Sequence, residues 1–379
     1  MSSAITLSNE QPQAAVSRLL LLSLYSVIPI TILLAVIDVV FLDRLLITQY
    51  LPSNPSSLLL WAIIFNFPHI ISSFVTLADD EYIPYYKKRF SRALMIIVVA
   101  VLMVNMVLPA VLPKPFADGF YLLFFAFFAA YTMYHVLSQQ FGIGMMLMKA
   151  KPGPTYEWWR YLSTVASTAM YGMVFAKDPL MQVAFGSYTL FHAVLLFAGI
   201  FVVLATAVGF YFSRSSKSQI GSYYTYSNLL MVVTTYGFLL AGYDIFVLLI
   251  PRFVHDITAF LIYSTHDKNR NQNVKHNYIY KFLSFIPLSP LILCPVIAIV
   301  LANFIECSAF FIDLSLGFNV LASSECQLSR IYQPHVSNGL PFSMQLGMQV
   351  MFICGLFHYY IEGFVWKRDA IHRHCLSFK

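Results

Sequence analysis

The sequence predicts an all-α integral membrane protein, a bundle of about ten transmembrane helices with both termini cytoplasmic. Hydrophobic residues make up 59% of the 379 positions and charged residues only 11%, against roughly 25% charged residues in an ordinary soluble domain. The mean hydropathy is +0.71. Apolar stretches also recur along the whole chain, and each approaches the ~20 helical residues that cross a bilayer. A water-soluble core cannot absorb this much apolar surface.

The predicted helices follow one another with short polar connections and form one membrane domain, 19–366. It lies between a polar N-terminal segment, 1–18, and a basic cytoplasmic tail, 367–379. Gly242 is the only clear breaker between the seventh and eighth helices, so it sets their boundary. The predicted spans are 19–41, 57–78, 93–112, 119–147, 159–176, 187–212, 223–242, 244–265, 281–304 and 341–365.

Basic residues set the predicted orientation. The formal net charge is +6, but the positive charges are dispersed among short connections, which argues against a nucleic-acid partner. If the N-terminus is cytoplasmic, Arg252 lies inside the membrane and four basic residues fall on the outer side: Arg44, Lys114, Lys177 and Arg330. All the other Lys and Arg residues fall on the inner side. The positive-inside rule demands this asymmetry, which an odd number of spans would destroy. We therefore expect a bacterial inner-membrane protein surrounded by membrane lipids.

The five cysteines show no metal-type spacing. Cys307 and Cys326 both fall in the long outer connection 306–340, where an oxidising compartment permits a disulfide. The sequence leaves open whether this bond forms. Cys294, Cys354 and Cys375 are interpreted as packing or spectator thiols.

Four histidines lie inside predicted helices, where ionisable groups are costly and mark a pathway or a site. They are His69, His135, His255 and His358. At a rise of 1.5 Å per residue, each lies roughly 14 to 21 Å from the inner end of its own helix. Their four helices all run from outside to inside. The sequence therefore predicts that the four imidazoles share one layer and meet at one point.

Three further side chains are candidate metal ligands. Gln139 and Glu362 each follow one of the four histidines by four residues, which places them on the same helical face. His266 follows His255 by eleven residues, almost three full turns, and so shares its face at the inner mouth. Imidazoles with a carboxylate suit Fe, Zn, Cu or Mn. We expect iron, with zinc or heme as alternatives.

An outer shell of polar groups accompanies this set. Asp256 can fix a histidine tautomer through a carboxylate hydrogen bond, and Tyr263 or Tyr359 can assist proton movement. Other interpretations stay open. A lone intramembrane histidine also serves as a helix-to-helix hydrogen-bonding residue, and His266 can be a solvated surface group. Glu362 can be a ligand, an outer-shell partner or an ion-pair partner of Arg252. The remaining histidines are interpreted as spectators: His192, His276, His335, His372 and His374.

Short strings around these histidines resemble a family of polytopic bacterial membrane proteins without an assigned activity. The strings are Pro68-His69, His135 with Gln139-Gln140 and Gly142, His255-Asp256, and His358-Tyr359 with Glu362 and Trp366-Lys367. More distantly, the scatter of single histidines over several helices is similar to the bacteriorhodopsin-related β-carotene dioxygenase family. That resemblance implies iron held by His69, His135, His255 and His358.

Together these observations predict a membrane metalloenzyme, an iron-dependent oxygenase that acts on a hydrophobic small molecule or lipid. The sequence lacks the clustered HxxxH and HxxHH boxes of membrane desaturases. Three alternatives remain: a zinc-type lipid hydrolase, a proton- or ion-coupled transporter that uses the intramembrane His, Asp, Glu and Arg side chains, and a non-catalytic scaffold.

Overall fold

The computed structural model describes residues 14–51, 64–315, 346–367 and 370–379, and these are mostly helical. Every predicted span coincides, at least in part, with a helix. The ten longest helices are α1 Arg18–Phe41, α2 Phe67–Leu77, α3 Tyr82–Val111, α4 Lys114–Met148, α5 Pro154–Phe175, α6 Leu190–Ser213, α7 Gln219–Ala241, α8 Asp244–Arg270, α9 Pro290–Ser315 and α10 Leu346–Val365. Shorter helical segments cover Leu46–Tyr50, Lys177–Gln182 and Tyr278–Phe282. Two-residue strands, β1 Ala184–Phe185 and β2 Tyr188–Thr189, form an antiparallel hairpin.

Within the described ranges, six helices are long and apolar enough to cross a membrane: α1, α3, α4, α6, α8 and α9. Helices α2 and α10 are apolar but shorter. This confirms the expected class, an all-α membrane protein. The total of ten spans and the cytoplasmic position of the termini stay predictions.

Helix boundaries follow local chemistry. Gly242 ends α7 in the left-handed conformation at φ 80°, and its N–H bonds the Leu239 carbonyl at 3.2 Å; glycine adopts this φ without a Cβ penalty. The break predicted at Gly242 is therefore confirmed. Helix α9 begins at Pro290, nine residues later than predicted. Proline is favoured in the first turn of a helix, where its missing N–H has no helical partner to lose.

The chain forms two compact units, and unit 1 takes its described residues from 14–16, 64–125 and 256–379. In its core, α2 packs on α9, where Ala298 and Ala302 are fully buried beside Phe67 and Val75. Small side chains on α9 allow the two helices to approach closely. Helix α10 packs on α3, α2 and α9.

Unit 2 takes its described residues from 17–51 and 126–255, and α5 and α6 form its most extensive helix pair. A Cβ atom at Gly209 of α6 would lie 2.5 Å from Nε1 of Trp159 on α5, so this contact requires glycine. The Trp159 ring stacks on Phe141 with centroids 3.8 Å apart. Two aromatic residues and one glycine thus fix how α4, α5 and α6 pack.

The C-terminal tail belongs to the fold of unit 1. A 3-10 turn, Ile371–Cys375, follows α10, and Val16 then pairs with Phe378 in a parallel bridge. The Asn269 amide donates to the carbonyl oxygens of Ala14 and Cys375, at 2.9 and 2.8 Å. The tail is therefore held against the end of α8.

Cys307 on α9 is disulfide-bonded. Its expected partner, Cys326, lies outside the described residues, as does Arg330. Three cysteines are free thiols, namely Cys294, Cys354 and Cys375.

Candidate metal centre

The four histidines singled out by their depth form one cluster. His69, His135, His255 and His358 each offer one ring nitrogen, and these nitrogens all lie within 4.8 Å of one another. All four side chains are buried. Two nitrogens bound to one ion at about 2.1 Å are at most about 4.2 Å apart. The four nitrogens would therefore have to move closer together to share one metal ion.

The local chain around His69 orients its ring. Nδ1 lies 3.2 Å from Oδ1 of Asp256, whose Oδ2 accepts the Asn66 backbone N–H at 2.9 Å. Asn66 precedes α2 with φ 63°, a left-handed conformation that is uncommon outside glycine. A carboxylate beside Nδ1 favours the proton on that nitrogen, which leaves the Nε2 lone pair for a metal.

The tautomer of His358 follows from its partner Ser73. The Ser73 hydroxyl donates its single proton to the Ile70 carbonyl at 2.6 Å, and its oxygen lies 2.9 Å from Nδ1 of His358. The hydroxyl must then accept from an Nδ1–H. Nε2 of His358 therefore carries the lone pair. The His69 and His358 rings meet edge to face, with centroids 5.1 Å apart.

His135 on α4 and His255 on α8 form the other edge-to-face pair, with ring centroids 4.9 Å apart and planes at 82°. Helix α8 is the most enclosed of the candidate spans: 72% of its most apolar stretch is buried, against 11% for α3. His255 is completely buried. Its position on an enclosed helix keeps water away from the imidazole.

The other predicted site residues on α8 and α10 lie around His358. Glu362 Oε1 is 3.8 Å from Nε2 of His358, and the Tyr263 hydroxyl donates to the same oxygen. The Tyr359 ring is buried, with its centroid 5.6 Å from that of His358. Glu362 thus lies on the Nε2 side of His358, and its roles as ligand or outer-shell partner, both left open by the sequence, stay predictions.

His266 is not a member of the four-histidine cluster, and the roles of Gln139 and Glu362 as ligands stay predictions. Gln139 accepts a hydrogen bond from the neighbouring Gln140 amide at 3.4 Å. His266 is buried, with Nδ1 2.9 Å from Asp267 Oδ1 and Nε2 3.2 Å from the Tyr82 hydroxyl. Both ring nitrogens of His266 thus have protein partners.

Ser73 and Asn66 contact His358 and Asp256, and these contacts were not predicted from the sequence. Ser73 follows His69 by four residues and so lies on the same face of α2. This spacing could have indicated that Ser73 lies near the histidine cluster. Asn66 immediately precedes Phe67-Pro68, and its backbone N–H, not its side chain, contacts Asp256. No residue pattern reports a backbone contact of this kind.

The Asp256 carboxylate gives a first prediction. We expect Asp256→Asn to weaken metal binding by about 10- to 100-fold, because an amide cannot replace the carboxylate charge that orients His69. Competition with a graded series of chelators measures this affinity. Asp244→Asn is the matched control on the same helix, since Asp244 pairs with Lys177 at 2.8 Å. Equal affinities for the two variants would contradict the assigned role.

Comparison with known proteins does not assign the chain to a family. No protein-family model, curated protein or solved structure matches it. The geometry of the four-histidine cluster is therefore the basis for inferring function.

Proposed function

We propose that this protein is a membrane-embedded, histidine-ligated metalloenzyme, an iron-dependent oxygenase of the bacterial inner membrane that acts on a lipid-soluble substrate. One observation carries the proposal: four buried imidazole nitrogens lie within 4.8 Å of one another. Burying four imidazoles together inside an apolar protein costs free energy, because each ring loses its hydrogen bonds to water. Binding of one shared metal ion would offset this cost.

The donor set favours iron. Imidazole suits iron, copper, nickel and zinc. Four protein ligands complete a tetrahedral zinc site, which is typical of structural zinc. Iron held by the four histidines would supply dioxygen activation. Asp256 and Ser73 hold the Nδ1 atoms of their histidine partners, so the Nε2 atoms are presented to the ion.

Proton transfer falls to the pair formed by Tyr263 and Glu362. The Tyr263 hydroxyl donates to Glu362, and Glu362 in turn lies 3.8 Å from His358. A carboxylate and a phenol in contact can take up and return a proton without a water molecule. In this proposal the two residues handle protons beside the metal, and they do not bind it.

A lipid-soluble substrate fits the surroundings. The four histidines are at most 6% exposed, and the outward faces of α3 and α6 carry exposed apolar side chains such as Ile96 and Val203. A charged, water-soluble substrate would have to shed its hydration to reach this site. An apolar molecule dissolved in the bilayer has no such cost.

Metal analysis tests the proposal. We expect protein purified in lipid nanodiscs, and washed with a weak chelator, to retain close to one iron per chain by elemental mass spectrometry. The reduced, iron-loaded protein should consume dioxygen when β-carotene, an apolar probe suggested by the distant resemblance, is added. Negligible metal content would overturn the proposal. If solute uptake into vesicles depended on the same histidines, the transporter alternative would replace it.

A further inference from the structure

A second buried cluster lies where the C-terminal 3-10 turn meets α8 and α3. This tail cluster consists of His266, Asp267, His372, Cys375 and Tyr82. His266, Asp267 and His372 are at most 1% exposed, whereas Cys375 is half-buried. The proposed metal centre uses none of these side chains.

Asp267 holds His266 in one orientation. Its Oδ2 accepts the Tyr280 hydroxyl at 2.5 Å and the Thr76 hydroxyl at 3.1 Å. Its Oδ1 lies 2.9 Å from Nδ1 of His266. A carboxylate anchored on one oxygen directs the other at Nδ1–H, as in nucleophile–histidine–carboxylate triads. Nε2 of His266 then points away from Asp267.

Cys375 completes the arrangement on the other side of His266. Its thiol lies close enough to His266 and Tyr82 for both to affect its pKa. The Asn269 amide holds the Cys375 carbonyl oxygen at 2.8 Å, which fixes the turn that carries the thiol. The arrangement is thus that of a nucleophile, a base and an orienting carboxylate, supplied by Cys375, His266 and Asp267.

His372 supplies an independent observation. Its side chain is fully buried, and among the described residues neither ring nitrogen has a hydrogen-bond partner. The ring lies 3.8 Å from Tyr82 and 5.4 Å from His266, centroid to centroid. A buried polar group without a partner costs about 1–3 kcal/mol. A small polar ligand beside Cys375 would satisfy it.

Electrostatics favours the thiolate. Burial raises the pKa of Cys375, but its hydrogen bond with His266 and the positive charges of His266 and Arg270 outweigh that effect, so the pKa lies below 9.0. Burial, then the charges of His266 and Arg270, lowers the pKa of His372 well below 6.5. His372 is therefore neutral at physiological pH and offers one donor and one acceptor.

We propose that the tail cluster is a second reactive centre, in which Cys375 is a nucleophile that reduces small hydroperoxides. The substrate is small because Tyr82, His266 and His372 are buried and pack against one another. The O–O–H group of a hydroperoxide can both donate and accept a hydrogen bond, which matches the one donor and one acceptor nitrogen of the His372 ring.

The step is balanced in atoms and electrons. The Cys375 thiolate attacks the terminal peroxide oxygen, a sulfur–oxygen bond forms, and the oxygen–oxygen bond breaks. Sulfur loses two electrons and becomes a sulfenic acid, while the peroxide is reduced. The departing oxygen takes a proton from the protonated His266 and leaves as an alcohol, or as water when the reagent is hydrogen peroxide.

Thiol chemistry on the full-length protein tests the assignment. Iodoacetamide alkylation of Cys375, followed by mass spectrometry over a pH series, should reach half its maximal rate at a lower pH than alkylation of an ordinary thiol. Hydrogen peroxide with dimedone should label Cys375 and leave the free thiol Cys354 unlabelled. A midpoint at the ordinary value, or equal dimedone labelling of both cysteines, would overturn the proposal.

Variants separate the role of His266 from folding. We expect His266→Gln to move the alkylation midpoint upward and to slow sulfenic acid formation at pH 7 roughly tenfold, because an ordinary thiol is only a few per cent thiolate there. His374→Gln, one residue from Cys375, is the matched control and should change neither value. Unchanged behaviour of a folded His266→Gln protein would exclude His266 as the base. If that variant does not fold, the wild-type pH series and dimedone labelling still decide.

Discussion

Replacing His358 by alanine should remove the metal ion from this protein. The substitution deletes one of four imidazole ligands, and we expect affinity to fall by more than about 100-fold, because changes to outer-shell partners alone cost about 10- to 100-fold. Elemental mass spectrometry of the chelator-washed variant measures the loss. Dioxygen consumption should disappear with it.

A matched control separates ligand loss from a general disturbance. His374→Ala deletes an imidazole from the tail and should leave metal content unchanged. Glu362→Gln keeps all four histidines, so we expect it to retain the metal and to slow turnover by altering proton transfer through Tyr263. If His358→Ala kept its metal while Glu362→Gln lost it, the carboxylate would be a ligand and the four-imidazole centre would be wrong.

The second large effect is on stability. Arg270 forms a two-pronged ion pair with Asp79, at 2.9 and 3.1 Å, and also bonds Glu81 at 2.7 Å. The Arg270 and Asp79 side chains are 7% and 1% exposed. Removing one partner of a buried pair leaves an uncompensated charge and costs about 3–5 kcal/mol. Arg270→Ala should therefore lower the free energy of unfolding in detergent by this amount.

The control for this measurement is an exposed ion pair on the same unit. Lys281 pairs with Asp80, and these side chains are 42% and 30% exposed. Exposed pairs contribute about 0–1 kcal/mol, so Lys281→Ala should change the unfolding curve little. Similar losses of unfolding free energy for the two variants would show that the Arg270–Asp79 ion pair is not as well shielded from solvent as its burial indicates.

Much of the helical architecture was predictable because it depends on local sequence. Apolar runs of membrane length, together with the breaker Gly242, place the helices along the chain, although the start of α9 at Pro290 was predicted nine residues too early. The depth of the four histidines was also predictable, since position along a helix follows from residue counting. The sequence could indicate that these imidazoles share a layer, but their separations depend on how helices pack.

The tail was not predictable for the same physical reason. His372 and Cys375 lie in a polar, basic stretch without hydrophobic periodicity, and were interpreted as spectators. Their burial depends on Asn269, which holds the Cys375 carbonyl from over one hundred residues away. His266 illustrates the converse, because its spacing from His255 indicated a shared ligand face, whereas its side chain contacts Asp267 and Tyr82.

The discontinuous make-up of unit 1 has a consequence for biogenesis. Helix α2 ends at Leu77, whereas its packing partner α9 begins at Pro290. The two helices therefore cannot pack together until α9 has been synthesised. At about 5–20 residues per second, translation of the intervening ~200 residues takes roughly 10–40 s. Throughout that interval the insertion machinery or a chaperone must cover the α2 surface that α9 later buries, including its histidine. Unit 2, whose residues all precede 256, can assemble while the ribosome is still translating the rest.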